Sequence, residues 1–446
     1  MVVSRDKTPT AQETFMQMAQ AAGLRGRILI TIGLLILVRF GVFLPVPGID
    51  RAAFAREIQN SPVIGFLDIF SGGGLSALGI FALGILPFIN ASIIMQLLTA
   101  ALPSLENLQK NEGEAGRRKI SQITRYVALG WAIIQSTGLT VGLLRNFAVD
   151  FNGLFVVQTV LALAAGSMFV MWVSELITER GIGNGASLLI FINIVAVLPR
   201  TLGNTIEFAQ QGGRETIAQV VLLLLVFLFT IVGIVFVQEG TRRIPIISAR
   251  RQVGKRLYRE RKNYLPLRLN QGGVMPIIFA SAVLVLPASL AGLPLFTQTD
   301  ESGSLTGAGQ VLQAIATALR PGQWQYILVY LTLILFFSYF YASLIVNPVD
   351  MSQNLKKMGA SIPGIRPGKA TSDYIEGVLN RLTLLGAVFL GIVATVPTAV
   401  ESATGVTTLR GLGATSLLIL VGVAIDTAKQ IQTYVISQRY EGMVKQ

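Results

Sequence analysis

A concentrated run of basic side chains in residues 239–271 is the first feature of this chain that could do chemistry. The run holds ten Lys and Arg residues against two acidic ones. Apolar and basic side chains alternate around Arg243, Pro245 and Ile247, a pattern that predicts a protruding hairpin. Loops of this kind commonly only fix membrane topology or contact anionic lipid. Because ten basic residues exceed that need, we expect a large polyanion to bind here, such as ribosomal RNA or an acidic protein surface.

A second polar segment, residues 347–372, carries a smaller set of basic side chains. Lys356, Lys357, Arg366 and Lys369 stand there among prolines and glycines. The two segments together predict a large basic face on one side of a membrane.

The composition excludes most catalytic chemistry. The 446 residues include no histidine and no cysteine, which removes the usual general base, the commonest metal ligand and any disulfide framework. Only 13% of the residues are charged and the mean hydropathy is +0.62, whereas soluble domains carry about 25% charged residues. The chain is therefore predicted to be an integral membrane protein. We expect no catalytic residue, metal or cofactor.

Ten apolar windows are long enough to cross a bilayer as helices. They cover residues 28–45, 78–101, 122–144, 154–174, 184–200, 217–238, 272–291, 324–346, 377–397 and 407–425. With the amino terminus taken as cytoplasmic, 26 Lys and Arg residues fall on that side and 7 on the other, which predicts that both termini are cytoplasmic. The middles of these windows lack ionisable residues, and Arg39 lies near the outer end of the first, where it can snorkel.

A glycine-rich segment precedes the second window. No charged residue occurs between Ile69 and Leu105, and the front of this stretch is too short and too rich in glycine for a comfortable span. Such a segment is either an external loop or a re-entrant element covered by protein or by a water-filled cavity.

A nine-residue repeat favours a chain built from two halves. Residues 84–92 read GILPFINAS and residues 273–281 read GVMPIIFAS. Five positions are identical in the two copies, namely Gly84, Pro87, Ile89, Ala91 and Ser92 against Gly273, Pro276, Ile278, Ala280 and Ser281. Each copy is predicted to carry a mid-span proline that bends its helix.

These observations indicate a two-halved passive pore or a scaffold, and they leave its cargo open. A secondary transporter with inverted repeats would need an ionisable group at the bilayer midplane, which the windows lack. An intramembrane enzyme would need a nucleophile with its base, paired acids or a metal cluster. A purely structural scaffold is harder to exclude from the residues alone.

Several motifs closely resemble those of the SecY family. They are VPGID (46–50), FSGGGLS (70–76), ALGILPFINASIIMQLL (82–98), GEAGRRKISQ (113–122), ITERGIGNG (177–185), IPGIRPG (362–368) and RLTLLGA (381–387). The resemblance covers about residues 24–440, in order and at the spacing that ten spans require. It implies an all-α polytopic membrane protein of ten transmembrane helices, in two pseudo-symmetric five-helix halves around a central pore with a short re-entrant plug.

The resemblance also implies domain limits. Residues 1–27 would form a cytoplasmic amino-terminal segment, 28–200 the first half, 201–425 the second half with basic loops 239–271 and 347–372, and 426–446 a cytoplasmic tail.

The resemblance assigns a pore and a plug to particular residues. An aliphatic ring would close the pore, and it would consist of Ile85, Ile89, Ala186, Ile190, Ile278 and Ile419. Ala186 is smaller than the aliphatic residue common at that place, which would widen the ring slightly or leave more of the seal to the plug. The plug would consist of Phe66, Leu67, Asp68, Ile69, Phe70, Ser71, Gly72, Gly73, Gly74, Leu75 and Ser76.

The resemblance finally implies partners and a function. The chain would pass unfolded secretory polypeptides across the membrane and release transmembrane segments sideways into lipid. The SecA motor or the translating ribosome would dock on the two basic loops through Arg242, Arg243, Arg250, Arg251, Lys255, Arg256, Lys356, Lys357 and Arg366. SecE and SecG would flank the channel, and YidC and SecDF are further candidates. The membrane would be the bacterial plasma membrane or also the thylakoid.

Overall fold

Helices make up nearly all of the regular structure, because within a bilayer an apolar segment must satisfy its backbone groups internally. The computed structural model describes residues 22–51, 53–54, 68, 71–248, 252–253, 256–257, 262–291, 307–319, 323–404 and 414–444. Its helices are α1 (Ala22–Val42), α2 (Leu86–Ala101), α3 (Pro103–Asn111), α4 (Gly113–Gly138), α5 (Gly153–Arg180), α6 (Gly185–Gln211), α7 (Gly213–Glu239), α8 (Met275–Ala291), α9 (Gly307–Ala318), α10 (Trp324–Ile345), α11 (Pro348–Lys357), α12 (Lys369–Thr404) and α13 (Ala414–Val444). The strands are β1 (Thr241–Ser248), β2 (Gln252–Val253), β3 (Arg256–Leu257), β4 (Lys262–Arg268) and β5 (Ala360–Ser361).

Each of the ten predicted spans overlaps one of these helices, and the predicted all-α polytopic membrane fold is confirmed. Within the described part of the chain, six helical stretches are long and apolar enough to cross a membrane. They are Gly113–Phe147, Gly153–Arg180, Gly185–Gln211, Gly213–Glu239, Trp324–Lys357 and Lys369–Glu401. Among the others, α1 carries three arginines, and α2 and α8 are 16 and 17 residues long.

The second span starts later than the sequence predicts. Residues 72–85 form turns, and α2 begins only at Leu86. Four residues in this stretch have positive φ, a backbone conformation that no α-helix contains, namely Gly72 (67°), Gly73 (87°), Leu78 (49°) and Gly84 (53°). After α2, the following helix α3 turns away by 104°.

The predicted mid-span proline bends are wrong. Pro87 is the second residue of α2 and Pro276 is the second residue of α8. The first turn of a helix tolerates proline, because its backbone N–H groups have no partner within the helix. Both prolines therefore mark helix starts.

The described chain divides into two compact units. The first comprises Met1–Asn204, Val285–Thr317 and Val423–Gln446. Within it, α4 packs against both α2 and α5, and α1 packs against α5. One of its small cores joins Leu24 of α1 to Ile182 and to Val435 of α13, and beside this core the Arg27 guanidinium donates to the Tyr434 hydroxyl.

The second unit comprises Thr205–Leu284 and Ala318–Gly422. Its longest helix, α12, packs against α7, α10 and α11. At the amino-terminal end of α12 lies a three-stranded antiparallel sheet in the order β4–β1–β5. The predicted hairpin of the basic segment is the β1–β4 pair, in which Arg243 lies opposite Pro266.

Candidate functional site

The first copy of the repeat builds a helix start from three devices. Gly84 adopts φ 53°, a conformation that glycine reaches without a side-chain clash, and its N–H donates to the Phe81 carbonyl at 2.8 Å. The carbonyl of Gly84 accepts a hydrogen bond from Ser167 Oγ of α5 at 3.1 Å. The helix then begins at Leu86, with Pro87 in its first turn.

The second copy uses the same devices in the same order. Gly273 adopts φ 60°, and its carbonyl accepts a hydrogen bond from Asn270 Nδ2 at 2.7 Å. The helix begins two residues later at Met275, with Pro276 in its first turn. The repeat detected in the sequence is therefore a repeat of backbone conformation as well.

Each helix start presents a buried aliphatic pair one helical turn apart. In the first copy the Ile89 N–H donates to the Ile85 carbonyl at 3.1 Å, and the two side chains are 4% and 0% exposed. In the second copy the Ile278 N–H donates to the Val274 carbonyl at 3.2 Å, and the two side chains are 3% and 5% exposed. The spacing of four residues places each pair on one helix face.

The remaining predicted ring residues lie on two other helices. Ala186 and Ile190 are also one turn apart, near the start of α6, where Ile190 is buried and Ala186 is partly exposed. Ile419 is fully buried on α13. Five of the six predicted ring side chains are thus buried aliphatics, and four of the six belong to the first compact unit.

The described part of the predicted plug is a closed loop held by one carboxylate. Asp68 Oδ1 accepts from the backbone N–H of Ser76 at 2.7 Å and from Ser71 Oγ at 3.4 Å, while Asp68 Oδ2 accepts from Ser76 Oγ. The Asp68 carbonyl accepts from the Gly73 N–H at 2.9 Å. Phe66, Leu67, Ile69 and Phe70 lie outside the described residues.

A short backbone ladder, which the sequence did not reveal, anchors the end of this loop. The chain around the VPGID motif runs between two other segments. On one side the Ile80 N–H donates to the Leu44 carbonyl at 2.8 Å. On the other side the Val149 N–H donates to the Gly48 carbonyl at 3.1 Å. The motif therefore acts through its main chain, by fixing the loop that leads into α2.

The two basic loops form one folded element, which we term the basic platform (residues 241–248, 262–268 and 346–382). Strand β5 of the second loop pairs with β1 of the first, with Ile247 opposite Ser361. A shared apolar core lies beneath the sheet. Its buried members are Ile244, Ile246, Leu267, Leu355, Ala360, Ile362, Ile375 and Leu379.

Most of the described docking residues are exposed on this platform. Arg242 and Arg243 extend from β1, Lys356 and Lys357 end α11, and Arg366 lies in the turn that leads into α12. Thr371 Oγ1 donates to the Arg366 carbonyl at 2.8 Å and so fixes that turn. Arg250, Arg251 and Lys255 lie outside the described residues, and for Arg256 only the backbone, in β3, is described.

The model of the SecY family matches residues 79–428, well over half of the chain. This chain belongs to the SecY family. All six predicted ring positions lie within the SecY match, whereas the predicted plug, 66–76, lies just before its first residue.

Curated SecY proteins match over the whole length. The protein translocase subunit SecY of Synechocystis sp. is 76% identical over 446 residues, which is 100% of both chains. The subunit of Synechococcus elongatus is 71% identical over 452 residues, again 100% of both chains. The chloroplastic preprotein translocase subunit SECY of Spinacia oleracea is 44% identical over 420 residues, covering 94% of this chain and 74% of the relative.

Solved structures show the SecY fold at low sequence identity. A SecY channel, whose plug domain is described as stabilising the closed state and maintaining a membrane seal, has a TM-score of 0.62 at 18% identity. A second protein conducting channel has a TM-score of 0.61 at 16% identity, and a canine ribosome-channel complex from the endoplasmic reticulum has 0.59 at 17%. Each comparison covers 96% of this chain and 94% of the other.

Two residues that set the helix starts escaped prediction. Ser167 and Asn270 are ordinary polar residues in the sequence, and neither belongs to the nine-residue repeat. Asn270 lies three residues before its acceptor, so a local capping pattern could have suggested it, whereas Ser167 is 83 residues from its acceptor.

Proposed function

We propose that this chain is the channel subunit of a protein translocase, which passes unfolded secretory polypeptides across a membrane and releases transmembrane segments sideways into lipid. One observation carries the proposal. Two helix starts with the same glycine, proline and buried aliphatic pair recur in the two compact units of a SecY-family chain. The chain itself hydrolyses nothing in this proposal, and its partners supply the driving force.

The proposed constriction is the aliphatic ring of Ile85, Ile89, Ala186, Ile190, Ile278 and Ile419. A translocating polypeptide presents every kind of side chain, so a site that bound one kind strongly would stall it. Aliphatic side chains form few specific contacts and exclude hydrated ions by dewetting, which suits a seal that must also yield. The burial of five of these six side chains supports the proposal.

The plug in this proposal is the segment 66–76. Ser71 and Ser76 both donate hydrogen bonds to the Asp68 carboxylate and so close the loop. This closure supports a plug that moves as one unit. A related SecY channel is described as using its plug domain to maintain a membrane seal.

We propose the basic platform as the docking surface for SecA or the translating ribosome. Exposed Arg242, Arg243, Lys356, Lys357 and Arg366 on one folded element support it, because a concentrated basic surface attracts RNA and acidic protein surfaces. A related structure is a ribosome-channel complex. SecE and SecG are the proposed companion subunits, with YidC and SecDF as further partners.

The proposed topology has both termini in the cytoplasm, with halves at residues 28–200 and 201–425. The excess of basic residues in the predicted cytoplasmic segments supports it. The proposed location is the plasma membrane, with the thylakoid membrane as a second proposed location. Relatives from Synechocystis sp. and from the Spinacia oleracea chloroplast support these two locations.

The experiment that tests this function places a photo-reactive residue at Ile89 and stalls a secretory chain midway through synthesis. We expect a cross-link from position 89 to the stalled chain that disappears when the signal sequence is removed. Leu98, exposed on the same helix, is the matched control position and should give no such cross-link. Cross-links confined to platform positions such as Arg366 would instead make the chain a docking scaffold.

A further inference from the structure

The Arg39 side chain contacts the plug segment directly. Its Nη1 donates to the carbonyl of Gly72 at 2.6 Å, a short distance typical of a hydrogen bond from a charged donor. Gly72 lies near the middle of the loop that Asp68 closes at Ser76. The bond therefore connects the last turn of α1 to the centre of the loop.

The surroundings of Arg39 make this bond hard to replace. The guanidinium lies 5.9 Å from the Phe43 ring, beside a groove of about 350 Å³. Apart from Arg39 itself, the groove is lined by Ile32, Leu35, Ile36, Phe40, Phe43 and Ile192. These apolar side chains and the acyl chains of lipid accept no hydrogen bonds, so a guanidinium within the hydrocarbon layer strongly favours a protein acceptor.

The loop is shaped to receive Arg39. Gly72 adopts φ 67°, and a Cβ built on it would lie 2.6 Å from Arg39 Nη1 and 2.5 Å from Asn193 Oδ1. Its neighbour Gly73 adopts φ 87°, but a Cβ there would meet nothing within 4 Å. Glycine at 72 is thus required both by the backbone and by the approach of Arg39, whereas at 73 only the backbone requires it.

We infer that Arg39 is a positioning residue that holds the plug in its resting place through the Gly72 carbonyl, and that plug movement breaks this bond. The inference rests on the proposed function, since it assigns a latch to the proposed plug. Snorkelling, the role that the sequence alone suggests for Arg39, would direct the guanidinium to the membrane surface. In the structure it turns to the protein backbone.

The test uses the full complex in proteoliposomes and the absence of cysteine from the chain. A single cysteine at Ala77, at the end of the loop, carries a spin label whose mobility reports plug docking without any substrate. Arg39→Met should mobilise the label and raise resting ion conductance roughly tenfold, the shift expected for the loss of one hydrogen bond to a charged group. Arg39→Lys retains the charge and a donor, so it should restore part of the immobilisation.

Matched variants separate the latch from general damage. Arg145→Met removes an exposed arginine that stacks on Phe151 and should leave the label as in the parent protein. Gly72→Ala should mobilise the label more than Gly73→Ala, because both strain the backbone but only the first displaces Arg39. This pair also tests the latch if Arg39→Met fails to fold.

The outcomes distinguish the latch from the function. An immobile label and unchanged conductance in both Arg39→Met and Gly72→Ala, in a parent complex that transports a precursor, would overturn the latch alone. A parent complex that transports no precursor would overturn the proposed function. Label mobility would still decide in that case whether Arg39 holds the loop.

Discussion

The helix starts at Gly84 and Gly273 share one design but differ in what holds them. The Gly84 carbonyl accepts from Ser167 of another helix, whereas the Gly273 carbonyl accepts from Asn270 three residues earlier in the chain. The first start therefore depends on the packing of α5 against α2. The second start is closed by its own local sequence.

The residue that follows the aliphatic position deepens this difference. In the first copy it is Asn90, which is 4% exposed and whose side-chain carbonyl oxygen has no hydrogen-bond partner within the described residues. In the second copy it is Phe279, whose ring lies 5.7 Å from that of Phe337 and 5.2 Å from that of Tyr341. A buried oxygen without a partner weakens one start, while aromatic packing reinforces the other. We infer that the first copy is the more readily rearranged of the two.

The largest effect that tests this contrast is expected from Phe279→Ala. The substitution removes an aromatic side chain from a packed cluster and should lower the free energy of unfolding by about 3–5 kcal/mol. Calorimetry of the purified complex measures the loss. Phe336→Ala, which truncates a half-exposed ring on α10, is the matched control and should be much milder. Equal losses at both positions would mean that the cluster around Phe279 adds nothing.

A smaller and symmetric effect is expected from alanine at the two glycines. Gly84→Ala and Gly273→Ala each force a side chain into the left-handed region, at a cost of about 1–2 kcal/mol. Thermal unfolding of the two variants should shift by similar amounts. Gly130→Ala, in the interior of α4 with nothing within 4 Å of its Cβ, should be neutral or stabilising. If only one of the two variants were destabilised, the same backbone conformation at the two glycines would not contribute equally to the free energy of unfolding.

Removal of the two hydrogen-bond donors should destabilise both copies by similar amounts, but the effects should appear in different parts of the chain. Ser167→Ala and Asn270→Ala each lose one hydrogen bond, worth about 1 kcal/mol. Hydrogen exchange should quicken at the start of α2 in the serine variant, although the substitution lies on α5. In the asparagine variant the quickening should stay within residues 270–278. A purely local response to Ser167→Ala would show that α5 does not support the first start.

The smallest effect, of opposite sign, is expected from Asn90→Leu. Leucine is larger than asparagine, but it removes the buried oxygen that has no partner within the described residues, and it should stabilise the first unit by about 0.5–1 kcal/mol. Thermal unfolding measures the gain, and Asn152→Leu, at an exposed position before α5, should give none. A loss of stability in Asn90→Leu would show that the amide contributes to the packing of this copy.

The sequence predicted the features that depend on local composition. Ten apolar windows located ten helices, and the repeat located the two helix starts, because bilayer insertion selects for long uncharged segments. The prolines were placed wrongly within their spans. Periodicity reveals apolar length but not the residue at which helical backbone begins, and here Gly84 and Gly273 decide that through their positive φ.

The features that escaped prediction join distant parts of the chain. Strand β5 pairs with β1 although Ser361 and Ile247 are far apart in sequence, and β5 is only two residues long. The contact of Arg39 with Gly72 is of the same kind, since a carbonyl of the backbone carries no sequence signature. The family resemblance supplied residue roles for the ring and the plug, but not the interactions that hold them.

The platform has a mechanical consequence. Its core contains Ile375 and Leu379 of α12, a helix of 36 residues and therefore roughly 54 Å long at 1.5 Å per residue. Load applied at β1, β5 or α11 is shared among them before it reaches α12, because all three rest on the same apolar contacts. The part of this helix before Pro397, residues 369–396, is roughly 42 Å long at 1.5 Å per residue and contains no proline. It is a stiff element longer than the roughly 30 Å hydrocarbon layer, with the platform at one end. A partner that pushes on either basic loop therefore transmits its force to the same helix, α12.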